Sequence, residues 1–254
     1  MIKAENISIR LGDEEILKGI STTFDRGKTN LVIGRSGSGK TVMVKCLIGL
    51  LTPDEGSIYF EDKAIKVMNE NEKRILREDT GMLFQGGALF DSMNIEENVM
   101  FPLRMFSNKK RPEMLARVNE VLKRVDLENV NKKFPDEISG GMKKRVSIAR
   151  AIVNKPKYLF CDEPNSGLDP KTATLIDNLI QEITKENNIT TVVVTHDMNS
   201  VMEIGEKIVF LKNGRLVWEG SNQEIFKTDN KDISDYVYSS DLFKKIRDIQ
   251  IGEQ

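Results

Sequence analysis

Apolar and polar positions alternate at the start of the chain. Ile7, Ile9 and Leu11 follow this pattern, as do the residues of Ile20 to Phe24. Such alternation predicts antiparallel strands that bury one face, turning at Asp13-Glu14-Glu15. The period then changes: Thr29 to Ile33 is a short apolar run suited to a buried strand, and Val42 to Leu51 is a helical run interrupted only by Gly49. Pro53 to Gly56 marks a turn, Ser57 to Phe60 a strand and Glu61-Asp62 another turn, after which Asn69 caps a polar helix reaching about Arg77. Thr80 to Phe84 reads as a strand. From Asn94 to Asp126 the pattern is helical, broken by Pro102 and by the Asn108 to Pro112 loop, and this insertion closes at Pro135 before a glycine pair. Strand Tyr158 to Cys161, helix Thr172 to Glu186 and strand Thr190 to Val194 give a βαβ rhythm, hence a parallel sheet with a ligand edge at its strand C-termini. Lys207 to Lys212 and Arg215 to Gly220 form a hairpin around Asn213-Gly214. Beyond Thr228 the spacing of Ile233, Val237, Leu242, Ile246 and Ile249 describes an amphipathic tail that packs on its own chain or on a partner.

The expected fold is therefore α/β. It has a mainly parallel core sheet, an N-terminal antiparallel β-subdomain and an inserted helical subdomain at about 86–140, with 1–228 as one domain and 229–254 as a tail. At 254 residues and net charge −1 the chain has no global basic field. Its basic runs, Lys109-Lys110-Arg111 and Lys143-Lys144-Arg145, are short enough to be solvated helix faces, so no nucleic-acid partner is expected. Cys46 and Cys161 lie in apolar runs without CxxC spacing and are read as reduced structural thiols. Met1 to Asn6 lacks the pattern of a signal peptide, and no apolar run reaches bilayer length, which predicts a cytosolic chain able to dock on a membrane protein.

The chemistry centres on Gly34, Arg35, Ser36, Gly37, Ser38, Gly39, Lys40 and Thr41, which fit G-x-x-x-x-G-K-[ST] between a predicted strand and a predicted helix. Glycines let successive N–H groups turn toward phosphate oxygens, Lys40 reaches the β and γ phosphates, and Thr41 offers a hydroxyl to Mg²⁺. Asp162 ends an apolar strand, where its carboxylate can hold Mg²⁺ with Thr41, and Glu163 can polarise an attacking water. Ser139, Gly140 and Gly141 open a helix whose free N–H groups suit an anion. His196, the single histidine, follows a strand on the same edge and can contact a γ-phosphate and its water. Gln85 follows the Thr80 to Phe84 strand, and its carboxamide can ligate Mg²⁺ or water while its loop moves with the insertion.

Together these stretches resemble the ATP-binding cassette family over about residues 1–226. Gly34 to Thr41 is similar to Walker A, Gln85 to the Q-loop, Ser139-Gly140-Gly141-Met142 to the signature, Tyr158 to Glu163 to Walker B, Ser166 to Asp169 to the D-loop, and His196 to the switch histidine. The resemblance implies ATP and Mg²⁺ as cofactors and a head-to-tail dimer of two copies, each ATP held between Walker A of one and the signature of the other, with Asp169 lining the interface. It also implies a separate permease above the dimer. A narrower resemblance lies in Leu83 to Met93 and Asn98 to Arg104, which look like the ATPase subunit of Mla/Mce-type phospholipid transporters. That would make the chain a peripheral ATPase on the cytoplasmic side of the inner membrane, driving phospholipid trafficking between inner and outer membranes with an MlaE-like permease and a small STAS-type regulatory subunit, its tail reaching onto the opposite copy. The alternatives are a lipoprotein-release or small-solute transporter ATPase and, from another class, a permease-free cassette acting on ribosome or DNA. Two positions depart from the general pattern. Leu11 stands where an aromatic normally stacks on adenine, leaving either Arg10 or the aliphatic Leu11 and Ile16 to cover the base and GTP to be hydrolysed nearly as well as ATP. Met142 replaces the usual signature glutamine.

Overall fold

The computed structural model describes residues 1–239. The chain opens with a hairpin of β1 (Ile2–Leu11) and β2 (Glu14–Phe24), and β1 also pairs with β4 (Glu55–Phe60), which pairs with the short β5 (Lys63–Ala64). The turn falls earlier than the polar triplet suggests. Glu14 and Glu15 pair with Leu11 and Arg10 as strand residues, and Gly12 supplies the left-handed backbone (φ 62°) of a two-residue connection. At two residues, β5 is too short to show a period.

The second sheet runs in the order β10-β9-β3-β8-β7-β6. It comprises β3 (Thr29–Ile33), β6 (Thr80–Leu83), β7 (Tyr158–Asp162), β8 (Thr190–Val194), β9 (Lys207–Lys212) and β10 (Arg215–Gly220). Every pairing in it is parallel except β9 with β10, whose hairpin turns at Asn213-Gly214. Both faces are covered. Leu31 and Ile33 join one core cluster while Val32 between them joins the other, as the two-residue side-chain period requires of a doubly buried strand. Between this sheet and the hairpin sheet lies α1 (Lys40–Leu47).

The remaining helices are α2 (Glu70–Glu78), α3 (Ile95–Phe106), α4 (Arg111–Arg124), α5 (Gly140–Ile152), α6 (Pro170–Glu186), α7 (Met198–Ile204) and α8 (Lys231–Val237). Capping boxes at Asn69/Glu72 and Asn94/Glu97 fix the starts of α2 and α3. Pro102 does not break α3. The proline forfeits one backbone hydrogen bond, but Ile95, Val99, Met100 and Leu103 bury the inner face of the helix on both sides of it. Pro112 sits in the first turn of α4, where a missing N–H costs little.

The tail predicted from residue 229 begins as part of the core. Ile233 and Val237 of α8 are fully buried in the main cluster, Asn230 caps the helix, and its Nδ2 donates to the Val217 carbonyl at 3.0 Å. Leu242, Ile246 and Ile249, and with them the expected reach onto a second copy, lie outside the described residues. Both cysteines are buried, and burial pushes the Cys46 thiol up to about 11.

Behind the strand-end edge sits a buried polar cluster. Asn165 Nδ2 donates to Ser200 Oγ at 3.0 Å, while Oδ1 of Asn165 and Oδ1 of Asp177 find no hydrogen-bond partner. Burial raises the Asp177 carboxyl to about 6, against the pull of Ser200 and Asn165. A carboxyl whose folded pKa lies above its unfolded value binds more protons in the native state, so its ionisation lowers stability as pH rises from about 4 to about 6. Asp177→Asn is accordingly expected to gain about 1–3 kcal/mol at pH 7.5 and little at pH 4, read from urea unfolding at the two pH values. Ile233→Ala is expected to lose about 2–5 kcal/mol in the same assay, because α8 is core rather than appendage.

Candidate active site

All five residues of β3 are buried, so the chain reaches the sheet edge rigidly held and leaves it at Gly34. A side chain there would collide with the Leu211 carbonyl and approach Ser38 Oγ to 2.6 Å, at a φ of 148° that L residues rarely adopt. Gly39, at φ 100°, would press a Cβ to 2.7 Å from Leu17 Cδ2. Each glycine is thus required by a neighbour that comes from a different strand. Lys40 opens α1, largely buried, and its ammonium donates to the carbonyls of Gly34 (2.8 Å) and Arg35 (3.1 Å). Burial lowers its pKa, and the Glu163 and Asp162 carboxylates oppose that.

A cleft of about 790 Å³ opens over this loop. Its walls include every residue from Gly34 to Thr41 together with Gln85, Asp162, Glu163 and His196, which the sequence spreads over 163 positions, from 34 to 196. Ser139, Gly140 and Gly141 are not on these walls. Ser139 caps α5 by accepting from the Met142 N–H at 3.3 Å, Ser139 and Gly140 are exposed, and Gly141 lies beside Thr172 of α6. Asp169 caps α6, accepting from the Thr172 N–H (3.0 Å) and hydroxyl (2.6 Å), bonds that hold its carboxyl below the usual range.

Glu163 has a left-handed backbone (φ 51°), unusual for a residue with a side chain. Its N–H donates to the Val194 carbonyl at 2.9 Å, tying the end of β7 to that of β8, and Lys144 Nζ donates to its carbonyl at 3.3 Å. The Glu163 carboxylate lies 2.7–2.8 Å from His196 Nδ1. A carboxylate only accepts, so the contact holds the imidazole through an Nδ1–H donor. Burial raises the Asp162 carboxyl, the Glu163 charge adds to this, and Lys40, Lys45 and Lys144 oppose it.

These residues fit a triphosphate with a divalent ion. Ser38 Oγ is buried with no partner, Lys40 is a sequestered ammonium, and Thr41, Gln85 and Asp162 are oxygen donors on one wall. Among the described residues no three His, Cys, Asp or Glu side chains converge as a self-sufficient metal site. The oxygen set of Thr41, Gln85 and Asp162 suits Mg²⁺, which takes one or two protein carboxylates and completes its shell with phosphate oxygens and water.

The residues named for base cover are divided. Ile16 lines the cleft, but Leu11 is 44% exposed and off its walls, and the Arg10 guanidinium donates to the Asp13 carbonyl at 3.3 Å. Tyr236 of α8 does line the cleft, beside Met198 and Ser239. The sequence reading passed over it because nothing near position 236 carries a motif; the only signal was the buried pair Ile233 and Val237, which turns that helix inward.

A second groove, about 360 Å³, lies next to Gln85. Its rim carries Phe84 and Phe90, each about two-fifths exposed, with Phe101 and Phe106 of α3 inside. Asn98 holds this loop in shape. Its Oδ1 accepts from the Phe90 N–H (2.8 Å), and its Nδ2 donates to the carbonyls of Phe90 (3.1 Å) and Met93 (2.9 Å). Arg150 braces the other side, donating to the carbonyls of Gly87 (2.7 Å) and Ala88 (2.8 Å).

Comparison with known proteins agrees with this geometry. The ABC transporter family matches residues 17–166. A methionine import ATP-binding protein MetN of Clostridium tetani is 41% identical over 95% of this chain and 76% of its own length. A probable ribonucleotide transport ATP-binding protein mkl of Mycobacterium tuberculosis is 38% identical over 90% of this chain and 64% of its own. Among solved structures, the dimeric post-hydrolysis state of the ATP-binding cassette MJ0796 bound to ADP and Pi superposes with TM-score 0.79 at 33% identity, covering 87% of this chain and 99% of that one. CbiO1 from Clostridium perfringens, part of the complex cbiONQ, gives 0.82 at 30% identity over 97% and 98%. The chain belongs to the ABC transporter family as an ATP-binding subunit, an ATPase that takes ATP with Mg²⁺ and hydrolyses it to power transport.

Proposed function

We propose that the chain is the motor of a membrane transporter, working as two copies beneath a separate permease, with Glu163 as general base and His196 as its partner at the γ-phosphate. The observation that carries this is the Glu163–His196 contact at 2.7–2.8 Å on the edge of the phosphate loop. Lys40 exchanges the Gly34 and Arg35 carbonyls for phosphate oxygens, and the inward N–H groups of the loop receive the rest. Thr41, Asp162 and Gln85 would hold Mg²⁺, and the ion would supply positive charge beside the transferred phosphoryl group. The Glu163 carboxylate takes the proton of the attacking water, while His196, fixed through Nδ1, offers Nε2 to the γ-phosphate. The exposed start of α5 explains the need for a second copy. Ser139, Gly140 and Gly141 present free N–H groups away from their own cleft and complete the cleft of the partner, an arrangement supported by the dimeric state of the MJ0796 cassette.

The phenylalanine groove beside Gln85 is the dock for the permease: apolar, rimmed by exposed Phe84 and Phe90, and connected to the cleft through one short loop. Among the described residues no helix is long and apolar enough to cross a membrane. A separate permease, with this chain peripheral on the cytoplasmic face, is supported by the relatives named as ATP-binding proteins of import and transport systems. For the cargo, the relatives named for methionine import and ribonucleotide transport support a small solute. A second reading, phospholipid transport with an MlaE-like permease and a STAS-type subunit, is favoured by the residues that build the groove, Leu83 to Met93 and Asn98 to Arg104.

Glu163→Gln is expected to lower phosphate release at least about 100-fold while ATP binding persists and an ATP-bound dimer accumulates in size-exclusion chromatography; undiminished hydrolysis would remove Glu163 as the base. A charge in the groove, Phe90→Asp, is expected to abolish co-purification with the permease and leave nucleotide binding intact. With the intact complex in vesicles, ATP-driven uptake of methionine or a ribonucleotide supports the small-solute reading, whereas movement of labelled phospholipid without solute uptake selects the second.

A further inference from the structure

Helix α5 buries a row of polar side chains. Lys144, Ser147 and Arg150 recur at a spacing of three, which puts them on one side of the helix, and they are only 5%, 0% and 8% exposed. A lysine or an arginine is seldom this deep unless its charge is held by partners. All three meet main-chain carbonyls of the two loops that flank the cleft. Arg150 donates to Gly87 and Ala88, Ser147 Oγ lies 3.1 Å from the Gly87 carbonyl, and Lys144 Nζ donates to the Glu163 carbonyl at 3.3 Å. One of these loops carries Gln85 and the other carries Glu163.

Lys144 differs from the other two in what it holds. The left-handed backbone of Glu163 (φ 51°) persists only where its surroundings impose it. Among the described residues three hydrogen bonds do so: the Glu163 N–H donates to the Val194 carbonyl at 2.9 Å, and the Glu163 carbonyl accepts from the Ser166 N–H at 3.2 Å and from Lys144. The first two belong to the strand ends and to the turn itself, and the third alone comes from a helix. If that carbonyl swings, the Cα–Cβ direction turns with it and the carboxylate leaves His196 Nδ1, now 2.7–2.8 Å away. We propose that Lys144 is a positioning residue for hydrolysis: by holding the Glu163 peptide it aims the carboxylate, and it ties that aim to α5, the helix whose first turn is presented to a second copy. The proposal rests on the reading of Glu163 as general base and of Ser139 to Gly141 as part of the partner's cleft. Lys144 lies about one and a half turns from Ser139, so a helix displaced at its start by the partner carries the base with it.

The test measures phosphate release by the full-length wild type, Lys144→Met, Lys144→Arg, Glu163→Gln and the Lys144→Met/Glu163→Gln double variant. Methionine keeps the reach of the side chain, removes its donors and leaves the fold intact, as an apolar group of similar volume does in place of a buried charge. Lys144→Met is expected to lower kcat about tenfold with the KM for ATP within about twofold, and Lys144→Arg, which restores a donor, to recover most of that loss. In the Glu163→Gln background the same change is expected to alter the residual single-turnover rate by less than about twofold and to leave the ATP-bound dimer intact in size-exclusion chromatography, because a residue acting through Glu163 has no base left to aim. A loss in the double variant as large again as in Lys144→Met, or disappearance of the dimer, would make Lys144 a support of α5 alone and overturn the proposal. A wild-type kcat in Lys144→Met, or no recovery in Lys144→Arg, would overturn it too. Undiminished hydrolysis by Glu163→Gln is a separate failure that removes the base itself, and the proposal with it.

Discussion

Everything at the sheet edge depends on one constraint: a glycine-rich loop must be held in one shape between strand β3 and helix α1. Gly34 and Gly39 meet that constraint in different ways, the first wedged beneath the Leu211 carbonyl of β9, the second against Leu17 of β2. The loop is therefore gripped from both sheets, and its shape is a product of tertiary packing as much as of its own glycines. The fully buried β3 supplies the rigidity behind it.

Charge is the second constraint. Lys40, Asp162 and Lys144 are each substantially buried within one small region, and burial moves each toward its neutral form. The Asp162 and Glu163 carboxylates oppose that shift at both lysines, and the lysines oppose it at Asp162, which makes the site an electrostatic unit rather than a set of separate residues. Glu163 is fixed into it by backbone, through the Val194 carbonyl and Lys144, so its carboxylate is free to engage His196. The left-handed backbone at Glu163 marks where local strain is accepted for that placement.

The groove and the cleft share a short path. From Phe84 on the groove rim the chain passes directly to Gln85 on the cleft wall, and the carbonyls of Gly87 and Ala88 are clamped by Arg150 of α5, the helix that Ser139 caps. A partner pressing on the groove thus bears on a phosphate-facing side chain and on the helix presented to a second copy. In the same way α8, buried through Ile233 and Val237, brings Tyr236 to the cleft from a stretch some 40 residues beyond His196.

Much of this was legible in the sequence. The phosphate loop, the strand-ending Asp162 and Glu163, the lone His196 and the β9–β10 hairpin were readable because each is local: a spacing, a run or a turn that one segment specifies by itself. The readings that failed depended on neighbours distant in sequence. Pro102 is tolerated because the buried face of α3 outweighs one lost hydrogen bond, and the turn after β1 is placed by pairing with β2. Tyr236 enters the cleft unannounced, carried there by the burial of Ile233 and Val237. Periodicity along a chain says which face of an element is buried, and only the packing of one element on another decides what that face meets.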